Sequence, residues 1–170
     1  MSGSATAALR LPPPAAGPRP DRYALMVCSS GGHLAQLIAL RPWWSGYRTR
    51  WVTFPTADAR DLLAGQDLVA AAHPTTRNLR NLVRNTGLAM RMLRHDRPDV
   101  IISSGAGVAV PFFELGKLMG IPTVYLEVFD RLDTATLTAR LCRPFTDRML
   151  VQWDEQEVLY RGAVVVGPVL

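Results

Sequence analysis

Hydrophobic positions along the chain come in short blocks, and their spacing alternates between two periods. Six- to four-residue apolar runs rich in β-branched and aromatic residues fall at Ala24–Ser29, Arg50–Phe54, Leu68–Ala72, Val100–Ser103, Thr123–Val128, Arg148–Gln152 and Ala163–Val166. Runs of that kind predict strands. Between them the apolar residues return every three or four positions, near 33–41, 57–64, 78–95, 108–119 and 134–142, with a short stretch near 154–160. That period predicts helices. Runs such as "DVIIS" and "TVYLEV" are apolar throughout, as in strands covered on both faces. Strictly alternating strands and helices then predict a Rossmann-like, doubly wound and mostly parallel α/β sheet. Pro98 and Pro122 stand where two helices should hand over to strands.

The 170-residue length suits one domain. Residues 1–20, "MSGSATAALRLPPPAAGPRP", have prolines where a signal peptide needs an apolar stretch, and predict a disordered tail ahead of a single domain over 21–170. No apolar run approaches the ~18 residues of a membrane span. Two cysteines, Cys28 and Cys142, without metal-ligand spacing predict buried reduced thiols and a cytoplasmic setting. No cluster of metal ligands is visible, and no cofactor is expected.

Charge changes this picture at one place. The net charge is +5, and the stretch from Arg77 to Arg97 alone carries six arginines against Asp96. Leu79, Leu82, Val83, Met90 and Leu93 lie among them. A basic amphipathic helix predicts contact with an anionic membrane surface or a diphosphate, through Arg77, Arg80, Arg84, Arg91 and Arg94; an ordinary sheet-covering helix with an Arg-rich outer side is the alternative. No recognisable nucleic-acid module accompanies the charge. Trp43 and Trp44 suit either an interface or the core.

The chemistry concentrates at strand ends. "SSGGHLAQL" follows the first strand, so Ser30, Gly31 and Gly32 offer backbone to a ligand and His33 opens a helix beside it. A neutral imidazole there can act as a general base, or it can merely cap the helix. Gly105 and Gly107 make a second loop after the fourth strand, so two glycine loops face one crevice. Their pattern lacks the third glycine of a dinucleotide fingerprint, which argues against an oxidoreductase. Phe112, Phe113, Leu115 and Leu118 of the helix that follows are expected in the core. Glu127, after the fifth strand, is expected to accept a hydrogen bond from a sugar, to orient His33, or to pair with Arg131.

"SSGGHLAQL", "SGAGVAVPFFELGKLMGIPTVYLE", "DRLDTATLTARL" and "DRMLVQWDEQEVLY" together resemble PssD-type polysaccharide biosynthesis proteins. These are bacterial relatives of the eukaryotic membrane-anchoring subunit of the dolichol-linked N-acetylglucosamine transferase. More remotely, the Gly-Gly-His loop is similar to that of the MurG N-terminal domain. The resemblance implies the acceptor-side half of a GT-B glycosyltransferase, with a PssE-type partner holding the UDP-sugar and a polyprenyl-diphosphate-linked acceptor on this half. It implies His33 as base, Ser30, Gly31, Gly32, Gly105, Gly107, Glu127 and Arg131 in the cleft, and a place on the inner face of the plasma membrane in exopolysaccharide or capsule synthesis. Where eukaryotic relatives carry an acid, this chain has Gln36. A non-catalytic adaptor that recruits a catalytic partner to the membrane is the competing reading.

Overall fold

The computed structural model describes residues 19–130 and 134–170. All seven predicted strands are present: β1 (Arg19–Val27), β2 (Tyr47–Thr53), β3 (Asp67–Ala70), β4 (Val100–Ser103), β5 (Thr123–Leu126), β6 (Arg148–Val151) and β7 (Val164–Val165). They form one sheet in the order β3-β2-β1-β4-β5-β6-β7, and each neighbouring pair runs parallel. The helices are α1 (Gly32–Ala39), α2 (Arg41–Trp44), α3 (Ala57–Leu62), α4 (Leu79–His95), α5 (Ala109–Leu118), α6 (Leu137–Cys142) and α7 (Asp154–Glu157). β1 begins at Arg19, inside the segment read as tail, because Arg19 pairs with Tyr47 of β2; residues 1–18 lie outside the described residues.

The period of two along each strand sorts side chains into two cores. Tyr23, Leu25 and Val27 of β1 face one core, with Ile101, Tyr125, Met149 and the inner sides of α4, α5 and α6. Ala24, Met26 and Cys28 face the other, with Trp51, Ile102, Leu126 and helices α1, α2 and α3. Phe112 and Phe113 of α5 are fully buried, each worth roughly 1.5–3 kcal/mol of burial. Leu118 departs from expectation: it sits at the last turn of α5 and is 75 % exposed. Trp44 joins the core and donates from Nε1 to the Leu37 carbonyl, 2.8 Å. Trp43 stacks on Tyr47 and stays half-buried. Both cysteines are free and buried, and burial pushes each thiol up to about 12.

Helix α4 differs from the amphipathic stripe its sequence suggests. It buries Asn81, Asn85, Ala89, Met92 and Leu93, so Leu93 belongs to the core rather than to an outer apolar stripe. The asparagines are there for the preceding loop. Asn85 clamps Ala72, accepting from its N–H at 2.8 Å and donating to its carbonyl at 2.9 Å. Asn81 donates to the Pro74 carbonyl at 2.9 Å. Leu79, Leu82 and Val83 remain exposed on the first turns. Among the described residues, no helix is long and apolar enough to cross a membrane.

Candidate functional site

The strand order reverses direction between β1 and β4, which are neighbours. Ligands in open α/β sheets bind at the carboxyl ends of strands beside such a reversal. Here the loop after β1 carries Ser30, Gly31, Gly32 and His33, and the loop after β4 carries Gly105 and Gly107. The two glycine loops found in the sequence are therefore adjacent in space.

They are bonded to each other through His33 and Ser104, a residue the glycine motifs do not single out. The Ser104 hydroxyl donates to the His33 carbonyl at 2.7 Å. The His33 ring places Nδ1 2.7 Å from the Ser104 carbonyl. A carbonyl only accepts, so Nδ1 carries the proton. In the neutral ring Nε2 then holds a free lone pair, and it makes no hydrogen bond among the described residues. That is the tautomer a base needs. Both loops open with Ser-Ser-Gly, and that repetition was the available signal for Ser104.

Gly105 makes the ring's position possible. At φ +118° it adopts backbone that side chains disfavour, and a Cβ there would lie 2.8 Å from the Tyr125 hydroxyl and 3.0 Å from His33 Cε1. The next residue, Ala106, is itself held at φ 71°, a strained value of the kind that clusters at functional sites. On its far side Gly107 packs against Thr75, 3.1 Å from an added Cβ, which brings the β3–α4 loop up to the same edge. Arg77 belongs to that loop, with φ 49° and an exposed side chain. Arg80 and Arg84 follow, exposed, on the first turns of α4. At 1.5 Å per residue, Arg91 and Arg94 lie roughly 20 Å from the loop edge along the helix, so they share its outer surface but not the crevice.

A cavity of about 240 Å³ opens beside His33, with Gly32, His33 and Gln36 on one wall and Val128, Phe129, Asp130 and Thr136 on the other. Glu127 does not line it. The side chain is fully buried beneath that second wall. The Tyr160 hydroxyl donates to its Oε2. Its Oε1 accepts from the Val128 N–H at 3.0 Å and the Thr136 hydroxyl at 3.4 Å. Burial raises the Glu127 pKa, and burial followed by the bond to Glu127 raises that of Tyr160. Glu127 thus braces the segment that forms the wall. Arg131, its expected partner, lies outside the described residues.

Beneath the cavity runs a chain of amides whose mutual bonding the motifs do not show. Gln152 donates from Nε2 to Gln36 Oε1 at 2.8 Å and to the Glu127 carbonyl at 2.9 Å, and its Oε1 accepts from the Val169 N–H at 3.1 Å. Gln156 accepts from the Gln152 N–H at 2.8 Å and donates to the Val128 carbonyl at 2.8 Å. Gln36, Gln152 and Gln156 are all buried. Among the described residues, no group of three or more His, Cys, Asp or Glu side chains could hold a metal ion.

This Rossmann-like, seven-stranded parallel sheet with flanking helices is the fold of the N-terminal half of GT-B enzymes. The crystal structure of MurG from Acinetobacter baumannii superposes with a TM-score of 0.65 and 19% identity, over 79% of this chain and 42% of that one. Within that class, the chain belongs to the family described as "Oligosaccharide biosynthesis protein Alg14 like", whose profile matches residues 69–169. The rat "UDP-N-acetylglucosamine transferase subunit ALG14" is 24% identical over 90% of this chain and 85% of its own. The Schizosaccharomyces pombe "UDP-N-acetylglucosamine transferase subunit alg14" is 38% identical over 75 residues, 41% of this chain. That match spans 36% of the yeast protein, and the chain spans less than half of the MurG structure.

Proposed function

We propose that this protein is the acceptor-side subunit of a split, inverting glycosyltransferase. It moves a sugar from a UDP-sugar onto a polyprenyl-diphosphate-linked acceptor, in exopolysaccharide or capsule synthesis. The observation that carries this reading is the His33 ring, locked by the Ser104 carbonyl so that a free Nε2 stands beside an open cavity at the sheet's reversal.

In the reaction, His33 Nε2 takes the proton of the acceptor hydroxyl as that oxygen attacks the anomeric carbon of the donor. The new C–O bond forms as the bond to UDP breaks, UDP leaves with the electron pair, and configuration inverts. General-base assistance of this kind contributes about 10²–10⁴-fold. A PssE-type partner supplies the donor site. The protein sits in the cytoplasm, peripheral on the inner face of the plasma membrane. Exposed Leu79, Leu82 and Val83 beside Arg77, Arg80 and Arg84, close to the crevice, support lipid contact. Arg91 and Arg94 add charge farther along the same helix, each worth about 1 kcal/mol near an anionic leaflet. Gly31, Gly32, Gly105 and Gly107 shape the crevice, with Ser30 beside it.

The test is co-expression with the PssE-type protein and an assay of UDP release with candidate UDP-sugars and a lipid-linked acceptor. Activity that requires both chains and falls at least 100-fold in His33→Ala, with the complex intact, is the expected result. Activity that survives the substitution makes the chain an adaptor instead.

A further inference from the structure

The amide chain under the cavity fixes something no motif states: which end of Gln36 faces the ligand. Its logic starts from the backbone. The Val169 N–H can only donate, and the Glu127 carbonyl can only accept. Gln152 meets both, so its Oε1 must face Val169 and its Nε2 must face Glu127. A flipped amide would set donor against donor at one end and acceptor against acceptor at the other. The same Nε2 also meets Gln36, so Gln36 must present its oxygen there. Its –NH₂ group is left over. Gln36 is only 2 % exposed, it lines the cavity, and its Nε2 makes no hydrogen bond among the described residues.

Gln36 lies three residues after His33 on α1, so the two side chains emerge from one face of the helix. The cavity wall thus carries two complementary groups: an imidazole nitrogen that accepts a proton, and an amide that can only donate from its free end. We infer that Gln36 is a specificity-determining residue, whose –NH₂ binds an oxygen of the acceptor sugar next to the hydroxyl that His33 deprotonates. The ligand class is a sugar with a free hydroxyl and a neighbouring oxygen able to accept, either a second hydroxyl or an acyl carbonyl. A donor that opens only onto the cavity and has no protein partner among the described residues is free for a ligand oxygen, and a site that uses such a donor rejects analogues lacking that oxygen. This inference rests on the acceptor-site reading above.

Gln36→Glu is the informative substitution. It keeps the shape, and one carboxylate oxygen still accepts from Gln152, so the buried chain survives. At a pH well above the carboxylate range, where the new side chain is ionised, the group facing the cavity changes from donor to acceptor. In the two-chain complex, Gln36→Glu is expected to raise the acceptor KM about 10–100-fold with kcat changed only a few-fold. Acceptors deoxygenated beside the attacking hydroxyl should lose a similar factor with the wild type and almost nothing further with Gln36→Glu. A second readout is NMR of the same complex with farnesyl-diphosphate-linked glucose or N-acetylglucosamine. The Gln36 side-chain amide signals, identified by their loss in Gln36→Glu, should shift together with those of the His33 ring. A His33 shift with an unmoved Gln36 amide and an unchanged KM overturns the inference and leaves the acceptor site standing. No shift at either residue with either sugar overturns both.

Discussion

The two lips of the crevice begin with the same three residues, Ser-Ser-Gly, and solve opposite problems. On the first lip, a Cβ added to Gly31 or Gly32 would meet nothing within 4 Å. On the second, a Cβ on Gly105 would strike the Tyr125 hydroxyl and the His33 ring. Behind the second lip lie buried Tyr125, Glu127 and Tyr160. One lip keeps space for a ligand; the other gives up its own side chain so that a neighbour's ring can be held still. A shared sequence motif therefore says little about what its glycines do until the opposite wall is known.

Four experiments sharpen that contrast. Gly105→Ala should be the most damaging, since its methyl is crowded and its φ is +118°. A loss of about 2–4 kcal/mol in urea unfolding is expected, with turnover falling as His33 is displaced; wild-type stability would break the comparison. Ser104→Ala removes the hydroxyl donor to His33 but keeps the carbonyl that orients the ring. It should cost about 1 kcal/mol by the same measurement and leave kcat nearly unchanged. Gly32→Ala, in open space at the start of α1, should gain about 0.4–1 kcal/mol in thermal unfolding by restricting the unfolded chain. Because Gly32 lines the cavity, the same variant should raise the acceptor KM. The smallest effect is a slope. Burial raises the Glu127 pKa above its ordinary 4.5, so the folded state keeps a proton that the unfolded chain releases. Raising the pH above 4.5 then favours unfolding at this group. Glu127→Gln should remove that contribution, and equal slopes for both proteins in urea titrations between pH 4 and 7 would count against it.

The architecture was legible because apolar periodicity is a local signal: the seven strands and their order of alternation follow from runs a few residues long. His33 and the glycines of both loops were legible for the same reason, each marking a strand's carboxyl end. What stayed hidden depends on partners distant in sequence. Ser104 matters through a residue 71 positions away, and Gln152 through Gln36, 116 positions away. Glu127 looked like a cleft residue because it ends an apolar strand, yet Tyr160, 33 positions on, holds it below the surface. Asn81 and Asn85 interrupt the helical pattern of α4 for loop contacts that periodicity does not encode. Leu93, which lies among the arginines in sequence, packs into the core, as a sheet-covering helix requires.

The amides under the cavity also transmit a choice rather than a strain. Packing disturbances fade with distance because neighbours yield by fractions of an ångström. An amide has only two settings, and Val169 near the chain's end selects one of them for Gln152, which selects one for Gln36. Changing Val169 to proline would erase one instruction, while the Glu127 carbonyl, which only accepts, would still hold Gln152 in the same setting. Whatever reaches that wall would then meet the same surface, its sign set once instead of twice.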